Sequence, residues 1–339
     1  MRHALVTGAT GFIGRHLVKE LQRRHVRVTV LTRTPGRAAS IWPRDTVTVL
    51  QGDLGREDIA ANFSVGYDTV FHLAGYAHAE DADSVAAKAV HRAVTVDGTR
   101  AVIHAALEAE TRCLIFASSV KAMGEGTDGC LDETTAEMPT SCYGCAKREA
   151  EKLVLAAGGA KNMRTTVIRL PLVYGPGNRG NIPRMISAID RRRFPSIQKV
   201  KNMRSMIHVE DVVQALLLAA ENPEASGQVY IVTDGGAYST GEIYRAICQG
   251  LGRKIPGWSV PSWILSVSGK VGDLLGRVAG VRMPLNSVAV SKLLGSAWYS
   301  PEKIRRELGF RPTHTLYDAL PQMIAEHRAS VRSAVASSS

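Results

Sequence analysis

Three residue types that can together move a proton at a carbonyl or alcohol oxygen stand close in the middle of the chain. Tyr143 and Lys147 are four apart in Y-G-C-A-K, which places both on one face of a helix. A lysine ammonium beside a phenol favours the phenolate and lowers its pKa. The phenol can then take or give the proton of a substrate hydroxyl while a hydride moves to or from a nicotinamide. Ser119 follows the apolar run Cys113 to Ser118. A hydroxyl at the carboxyl end of a parallel strand is placed to hydrogen-bond that same oxygen; the plainer use of such a serine is a turn or a helix cap. Y-x-x-x-K alone is a weak signal in a chain with nine tyrosines. It gains meaning from what precedes it.

The elements that must position these residues begin at the N-terminus. Residues 6–14 read V-T-G-A-T-G-F-I-G, after the apolar run Ala4-Leu5-Val6 and before a helical stripe at Leu17, Val18 and Leu21. Strand, glycine turn and helix in that order form a phosphate cradle. Gly8 allows the tight turn, Gly11 removes a Cβ that would block a pyrophosphate, and Gly14 lets the helix lie close to the strand. The helix N-terminus adds unpaired N–H groups and a positive dipole end. Val26 to Leu31 reads as a second strand, ending at Thr32-Arg33. An acid there would accept the ribose hydroxyls of NAD, whereas an arginine suits the 2′-phosphate of NADP. The chain has no acid at that point, so NADP is favoured slightly over NAD; the alternative for Arg33 is a solvated loop residue. Val47 to Leu50 is a third strand before Gly52-Asp53-Leu54. Asp53 suits either an adenine amino group or a helix cap. Asp68 to Leu73 is a fourth strand ending in the small pair Ala74-Gly75, which lets backbone approach a dinucleotide. His72 inside it reads as structural. Residues 85–109 and 148–157 read as helices, Thr165 to Leu170 and Val229 to Val232 as further strands, and Val212 to Ala220 as a helix. Another helix lies within 178–193, with Asn181 as its N-cap. Strands alternating with helices predict an α/β fold with a parallel sheet.

Composition sets further bounds. The 339 residues are 45% hydrophobic and 22% charged, as in ordinary globular proteins. No apolar run is long enough to span a bilayer, and the first strand starts at once, so the expectation is a cytoplasmic protein with no integral membrane segment. The net charge is +11, but the basic residues are scattered and the densest run is only Arg191-Arg192-Arg193. Anionic small ligands explain this better than nucleic acid. Cys142 and Cys145 form a C-x-x-C without the second pair or histidine cluster of a zinc site, so no metal is expected. Trp263, Val267, Val271, Leu274, Leu275 and Val278 share one helical face. That face suits a membrane surface or, more ordinarily, a core or dimer contact.

Together these motifs resemble the extended short-chain dehydrogenases/reductases, in the NAD-dependent epimerase/dehydratase branch. The resemblance covers about residues 1–325. It rests on the T-G-A-T-G-F-I-G turn, G-D-L at 52–54, H-L-A-G at 72–75, S-S-V at 118–120, Y-x-x-x-K at 143–147 and R-L-P-L-V-Y-G-P at 169–176. It implies a Rossmann doubly wound parallel sheet (residues 1–173 with 204–233), a smaller mixed C-terminal substrate-binding lobe (174–203 with 234–325) and a disordered tail at 329–339. It implies a Ser119, Tyr143 and Lys147 catalytic set, with the two latter also on the cofactor. Gly8, Gly11, Phe12, Ile13 and Gly14 would hold the pyrophosphate, and Asp53 and Leu54 the adenine. Leu73, Ala74 and Gly75 would line the cleft, with Leu170 and Pro171 by the nicotinamide. Asn181 and Arg204 fall where the family contacts a nucleotide-sugar diphosphate. A homodimer through the helices at 85–109 and 146–157 is also implied.

The departures from the family pattern narrow the reaction. Dehydratases follow the catalytic hydroxyl with Asp-Glu; here it is Val120-Lys121. UDP-galactose 4-epimerases carry an acid where this chain has Thr32 and an asparagine where it has Leu172, and the usual helix asparagine is Thr95 here. The stretches around Ser119 and Leu170 are similar to bacterial UDP-sugar 4-keto reductases. The expectation is therefore NAD(P)-dependent reduction of a UDP-4-keto-6-deoxy (N-acetyl) sugar in polysaccharide biosynthesis. The alternatives are a UDP-sugar 4-epimerase with tightly bound NAD, a hydroxysteroid or flavonol-type dehydrogenase, and a non-catalytic cofactor-binding regulatory protein.

Overall fold

The computed structural model describes residues 1–43, 46–55, 63, 66–76, 85–124, 129–135, 138–279 and 286–336. Its strands are β1 (His3–Thr7), β2 (Arg27–Thr32), β3 (Thr48–Gln51), β4 (Thr69–His72), β5 (Cys113–Ser119), β6 (Cys130–Leu131), β7 (Arg164–Leu170), β8 (Leu172–Tyr174), β9 (Arg204–His208), β10 (Gln228–Ile231), β11 (Ala237–Tyr238) and β12 (Trp298–Tyr299). Its helices are α1 (Phe12–Arg23), α2 (Pro35–Ile41), α3 (Val85–His91), α4 (Gly98–Glu108), α5 (Cys142–Ala156), α6 (Asn181–Asp190), α7 (Val209–Glu221), α8 (Thr240–Leu251), α9 (Ser262–Ala279), α10 (Ser287–Leu294), α11 (Glu302–Leu308) and α12 (Leu316–Ala336).

Seven strands form one sheet in the order β3-β2-β1-β4-β5-β7-β10, every neighbouring pair parallel. Near-continuous apolar runs suit such strands because helices cover both faces; all of β5 is buried. Alternation divides the side chains between two layers. Ala4 and Val6 join a core with Leu17 and Leu21 of α1, Val212 and Leu216 of α7, and Ile304 of α11. Leu5 faces the other way, onto Val102 of α4 and Ala150 and Val154 of α5. The strand order turns back at β1 and β4, which opens a crevice beyond their carboxyl ends.

A third apolar cluster gathers Ile182 and Ile186 of α6, Ile243 and Ile247 of α8, and Leu320 and Ile324 of α12. Beside it β8 pairs parallel and β11 antiparallel with β9, giving a small mixed sheet. A two-stranded parallel pair, β6 with β12, ties Cys130 and Leu131 to Trp298 and Tyr299.

Several expectations need correcting. The helix read over 85–109 is interrupted: α3 passes into a π-helical turn, Arg92–Asp97, before α4, and nothing in its Ala- and Val-rich sequence marks the change of period. Asn181 is the first residue of α6 and not its cap. Gly180 is the N-cap, and its N–H is taken by Asn178 Oδ1 at 2.6 Å. The tail read as disordered from 329 continues α12 as far as Ala336; residues 337–339 lie outside those described. Helix α9 does not turn its apolar stripe to the core. It packs through Gly269 on α10, where an added Cβ would lie 3.0 Å from Ser287 Cα, and Trp263, Val267, Val271, Leu274 and Leu275 stay exposed.

The turn from β1 into α1 admits no side chain at its crossing point. A Cβ on Gly14 would collide with the Gly8 carbonyl and lie 2.6 Å from Ala9 Cα. Gly14→Ala is therefore expected to lower unfolding stability by about 1–3 kcal/mol, the usual cost of overpacking. Urea unfolding measures it, and an unchanged midpoint would show that α1 can move off the strand freely.

Candidate active site

A cavity opens where four adjacent parallel strands release the chain. Its walls are Gly8, Thr10 and Gly11 after β1, Leu31 to Thr34 and Arg37 at the end of β2, Gly52 to Leu54 after β3, and Leu73 to Gly75 after β4. Gly8 holds φ +68°, and a Cβ there would be 2.7 Å from Ala74 N. Helix α1 begins at Phe12 with Gly11 as N-cap and no side chain capping it. The first N–H groups of Phe12, Ile13 and Gly14 thus remain for an anion. This cradle, which a Cβ would fill, fits the diphosphate of a dinucleotide.

The far end of the cavity is basic. Arg33 and Arg37 both line it, and both are exposed. Arg33 stands out in the sequence as the residue after Thr32; Arg37 does not. The available signal was spacing: Pro35 starts α2, so Arg37 falls on its first turn, beside the residue that ends β2. Asp53 accepts the Gly55 N–H at 3.1 Å, so it serves the local turn while also lining the cavity.

A directed chain of hydrogen bonds fixes the cavity floor. Ala74 N–H donates to Thr7 Oγ1 at 3.2 Å, which is 2.7 Å from His72 Nδ1. His72 Nε2 is 3.0 Å from Thr99 Oγ1, and Thr99 gives its one proton to the Thr95 carbonyl. With each hydroxyl proton placed, the imidazole is neutral and carries its hydrogen on Nε2. Full burial and the nearby Lys147 charge push its pKa down to about 3. His72 is structural, as its sequence suggests, and it links β1, β4 and the π-helical turn.

Ser119, Tyr143 and Lys147 come together on the β4–β5–β7 side of the crevice. Ser141 caps α5 through the Gly144 N–H at 3.2 Å, so Tyr143 and Lys147 occupy the first turns of one helix. The Ser119 hydroxyl opposes the rise of the Tyr143 pKa and accepts the Lys121 N–H at 3.3 Å, which caps the short turn after β5. Ser119 is the register partner of Leu170, which sets Pro171 beside the same strand ends. Lys147 is buried. Its Nζ donates to the Ala117 carbonyl at 2.8 Å and stands 4.6 Å from the centre of the Phe116 ring. A Cβ on Gly75 would be 3.2 Å from that Nζ, so the lysine reaches the cavity wall.

The ammonium does not lower the Tyr143 pKa here. Burial dominates and pushes the phenol up, opposed only by Ser119. Tyr143 is therefore protonated near neutrality. Lys147 is itself brought down to about 8 by burial, while the Glu151 charge holds it up. Glu151 takes a bidentate grip from Arg169, at 3.0 Å from Nε and 2.7 Å from Nη2, and a hydrogen bond from Ser118. Neither Glu151 nor Arg169 stood out in the sequence.

His91 is another residue that the sequence reading missed. It is 1% exposed, its ring centre lies 5.7 Å from that of Tyr143, and neither ring nitrogen has a hydrogen-bond partner. Thr95 Oγ1, one turn on, is also buried without one. A histidine and a threonine four apart on a helix were the signal. Asn181 is exposed on the first turn of α6. Arg204 at the head of β9 donates through Nη1 to the carbonyls of Lys292 at 2.5 Å and Gly295 at 2.9 Å, which fixes one edge of its guanidinium. Cys142 and Cys145 are free thiols at the start of α5. Among the described residues, one group has metal-ligand chemistry: His208, Glu210 and His314. His314 is oriented there by Asp211 at 3.2 Å.

The model of the NAD dependent epimerase/dehydratase family matches residues 4–233. The chain belongs to this family. Among curated members it is 29% identical over 326 residues to a UDP-glucose 4-epimerase of Vibrio cholerae, covering 94% of this chain and 93% of the relative. It is 30% identical over 325 residues to the 4-hydroxy-2-methyl-3-oxo-4-farnesyl-3,4-dihydroquinoline-1-oxide ketoreductase of Stigmatella aurantiaca, covering 94% and 95%. The solved structure of MoeE5 in complex with UDP-glucose and NAD superposes with a TM-score of 0.75 at 27% identity, covering 97% of this chain and 99% of that one. The seven-stranded parallel sheet, with its crevice at the β1–β4 switch, is the architecture that the family motifs imply.

The Lys147 pKa has two consequences of definite sign. The folded chain releases this proton near 8 and an unfolded lysine near 10.5. Between those values the unfolded state binds more protons, so this group makes stability rise with pH across that window. Activity that needs the ammonium should instead fall as pH rises through about 8. Glu151→Gln is expected to move that limb of the kcat/KM profile to lower pH, because it removes the charge that holds the lysine proton. A limb that stays in place in the folded variant would show that Glu151 has only a packing role.

Proposed function

We propose that this family member is an NADPH-dependent reductase that converts the C4 ketone of a nucleotide-linked sugar to the alcohol. The substrate class is a UDP-4-keto-6-deoxy (N-acetyl) sugar of polysaccharide biosynthesis. The observation that carries the reading is the pair Arg33 and Arg37 on the cavity wall at the end of β2, where no acid stands to accept a ribose diol. Two guanidinium groups there suit a 2′-phosphate. A reductase renews its cofactor at each turnover, in keeping with a phosphorylated dinucleotide that comes and goes.

Bound NADPH supplies the hydride. Everything else falls to side chains of the chain. Ser119 holds the carbonyl oxygen by a hydrogen bond. Tyr143, kept protonated by burial, gives its proton to that oxygen as the carbon is reduced. Lys147, whose ammonium reaches the cavity wall, binds the nicotinamide ribose. Gly8, Gly11 and the first N–H groups of α1 carry the diphosphate, Asp53 and Leu54 the adenine, and Leu170 and Pro171 face the nicotinamide. Asn181 and Arg204 are the assigned contacts of the sugar-nucleotide diphosphate, the latter oriented by the α10 carbonyls. The nucleotide sugars in the names of the Vibrio cholerae enzyme and the MoeE5 complex support this substrate class, and the Stigmatella aurantiaca ketoreductase supports a carbonyl as the reacting group.

The rival is a 4-epimerase that keeps NAD bound, which the Vibrio cholerae relative favours. Denaturing the purified protein and identifying the dinucleotide released separates the two. Stoichiometric NAD overturns the reductase, whereas NADPH oxidation by initially empty protein on a UDP-4-keto-6-deoxy sugar supports it. Tyr143→Phe is expected to lower turnover by about 10²–10⁴-fold while NADPH still quenches protein fluorescence. The double change Arg33→Asp with Arg37→Asp should shift kcat/KM from NADPH towards NADH. An unchanged ratio would show that these arginines are solvated loop residues.

A further inference from the structure

We infer that α9 and the loop before it form a docking surface for an anionic lipid bilayer, with the helix lying in the plane of the headgroups. The apolar residues left outside the core are concentrated here. Trp258 is 63% exposed, Trp263 66%, Val267 53% and Leu274 61%. From Trp263 to Leu275 the stripe runs about 18 Å along one face of the helix. The opposite face is committed to α10 through Gly269. Helix polar groups that would resist burial in the interface are already satisfied. Ser266 and Ser268 donate to the carbonyls of Ser262 at 3.0 Å and Ile264 at 2.8 Å, and Asp273 is drawn in to Ser287 N at 3.2 Å. No helix among the described residues is long and apolar enough to cross a membrane. A helix with an apolar stripe and tryptophans at one end instead lies at the boundary between headgroups and acyl chains.

Charge decides between a lipid surface and a second copy of the chain. The segment 191–201 carries Arg191, Arg192, Arg193, Lys199 and Lys201 with no acid, and all five are exposed. It is laced to the tryptophan loop: Ser196 Oγ donates to the Trp258 carbonyl at 2.7 Å, and Val260 N donates to the Ser196 carbonyl at 2.7 Å. Lys199 and Lys201 share a hollow with Ser259 to Ser262 at the head of α9. Lys270 lies on the edge of the stripe, where its stem can follow the apolar face while the ammonium reaches outward. A two-fold dimer through this face would oppose two such basic borders, whereas anionic headgroups neutralise them. The inference does not depend on the reaction assigned to the cavity.

The test uses full-length protein and vesicles of phosphatidylcholine alone or with phosphatidylglycerol in a two-to-one ratio. The protein is expected to sediment with the mixed vesicles, to be released by added salt, and to show tryptophan emission at shorter wavelength when bound. Val267→Glu should weaken partition by about tenfold or more through loss of apolar contact. Lys199→Glu with Lys201→Glu should do the same with the stripe intact. Both variants should keep the circular dichroism spectrum and urea midpoint of the parent protein, which shows that they are folded. Three results overturn the inference: failure to sediment with the mixed vesicles, equal sedimentation with the uncharged ones, or conversion of a dimer to a monomer by Val267→Glu in light scattering.

Discussion

A single buried ammonium sets the terms for the site. Lys147 lies inside the protein with one backbone carbonyl, one aromatic face and one carboxylate to hold its charge. A lone charge in such a place would shed its proton. Glu151 opposes that, and Glu151 is in turn held by Arg169 and Ser118. The same charge helps to keep His72 neutral, which gives the chain from Ala74 to Thr95 its direction. A Cβ on Gly75 would lie 3.2 Å from Nζ, so the lysine leaves little room for a side chain there. Strand ends, helix and glycine turn are thus arranged around one cation.

That arrangement explains the uneven burial of polar groups. Buried ion pairs are costly to form and more costly to break, and here the pair joins α5 to β7 directly under the strand ends that carry Ser119 and Leu170. Removing either partner would leave a charge without compensation beside the reacting groups. Rigidity at the site therefore comes from electrostatics as well as from the sheet. The cavity mouth has the opposite character: Arg33 and Arg37 line it with their charges exposed to solvent.

Much of this was readable in the chain because its signals are periodic or local. The strands at 3–7, 27–32, 113–119 and 164–170 fall within a residue or two of their apolar runs, since a parallel strand must be apolar on both faces. The glycine turn and the Tyr143–Lys147 spacing depend only on neighbours in sequence. What was hidden depends on distant partners. Glu151 and Arg169 look like surface residues until α5 is laid on β7. The π-helical turn at 92–97 has no composition of its own. Helix α6 starts at Asn181 itself, with Gly180 as N-cap and no side chain capping it, and α12 continues through 329–336 because an alanine-rich segment without glycine or proline extends an existing helix at little cost. The Tyr143 pKa rises, against the expectation from its spacing to Lys147, because burial dominates it and composition does not reveal burial.

The pairing of β6 with β12 has a consequence for how the molecule is made. Cys130 and Leu131, in the segment that follows Ser119, are held by Trp298 and Tyr299 about half the chain away. Contacts of such separation close late in folding. The dinucleotide cradle is likewise closed from far along the chain, since β1 and α1 pack on α7 and on Ile304 of α11. The segment next to Ser119 gains its strand partner only from one of the last elements. Both sides of the crevice are thus closed by elements from the second half of the chain, so a truncation there reaches the site without touching a residue that lines it.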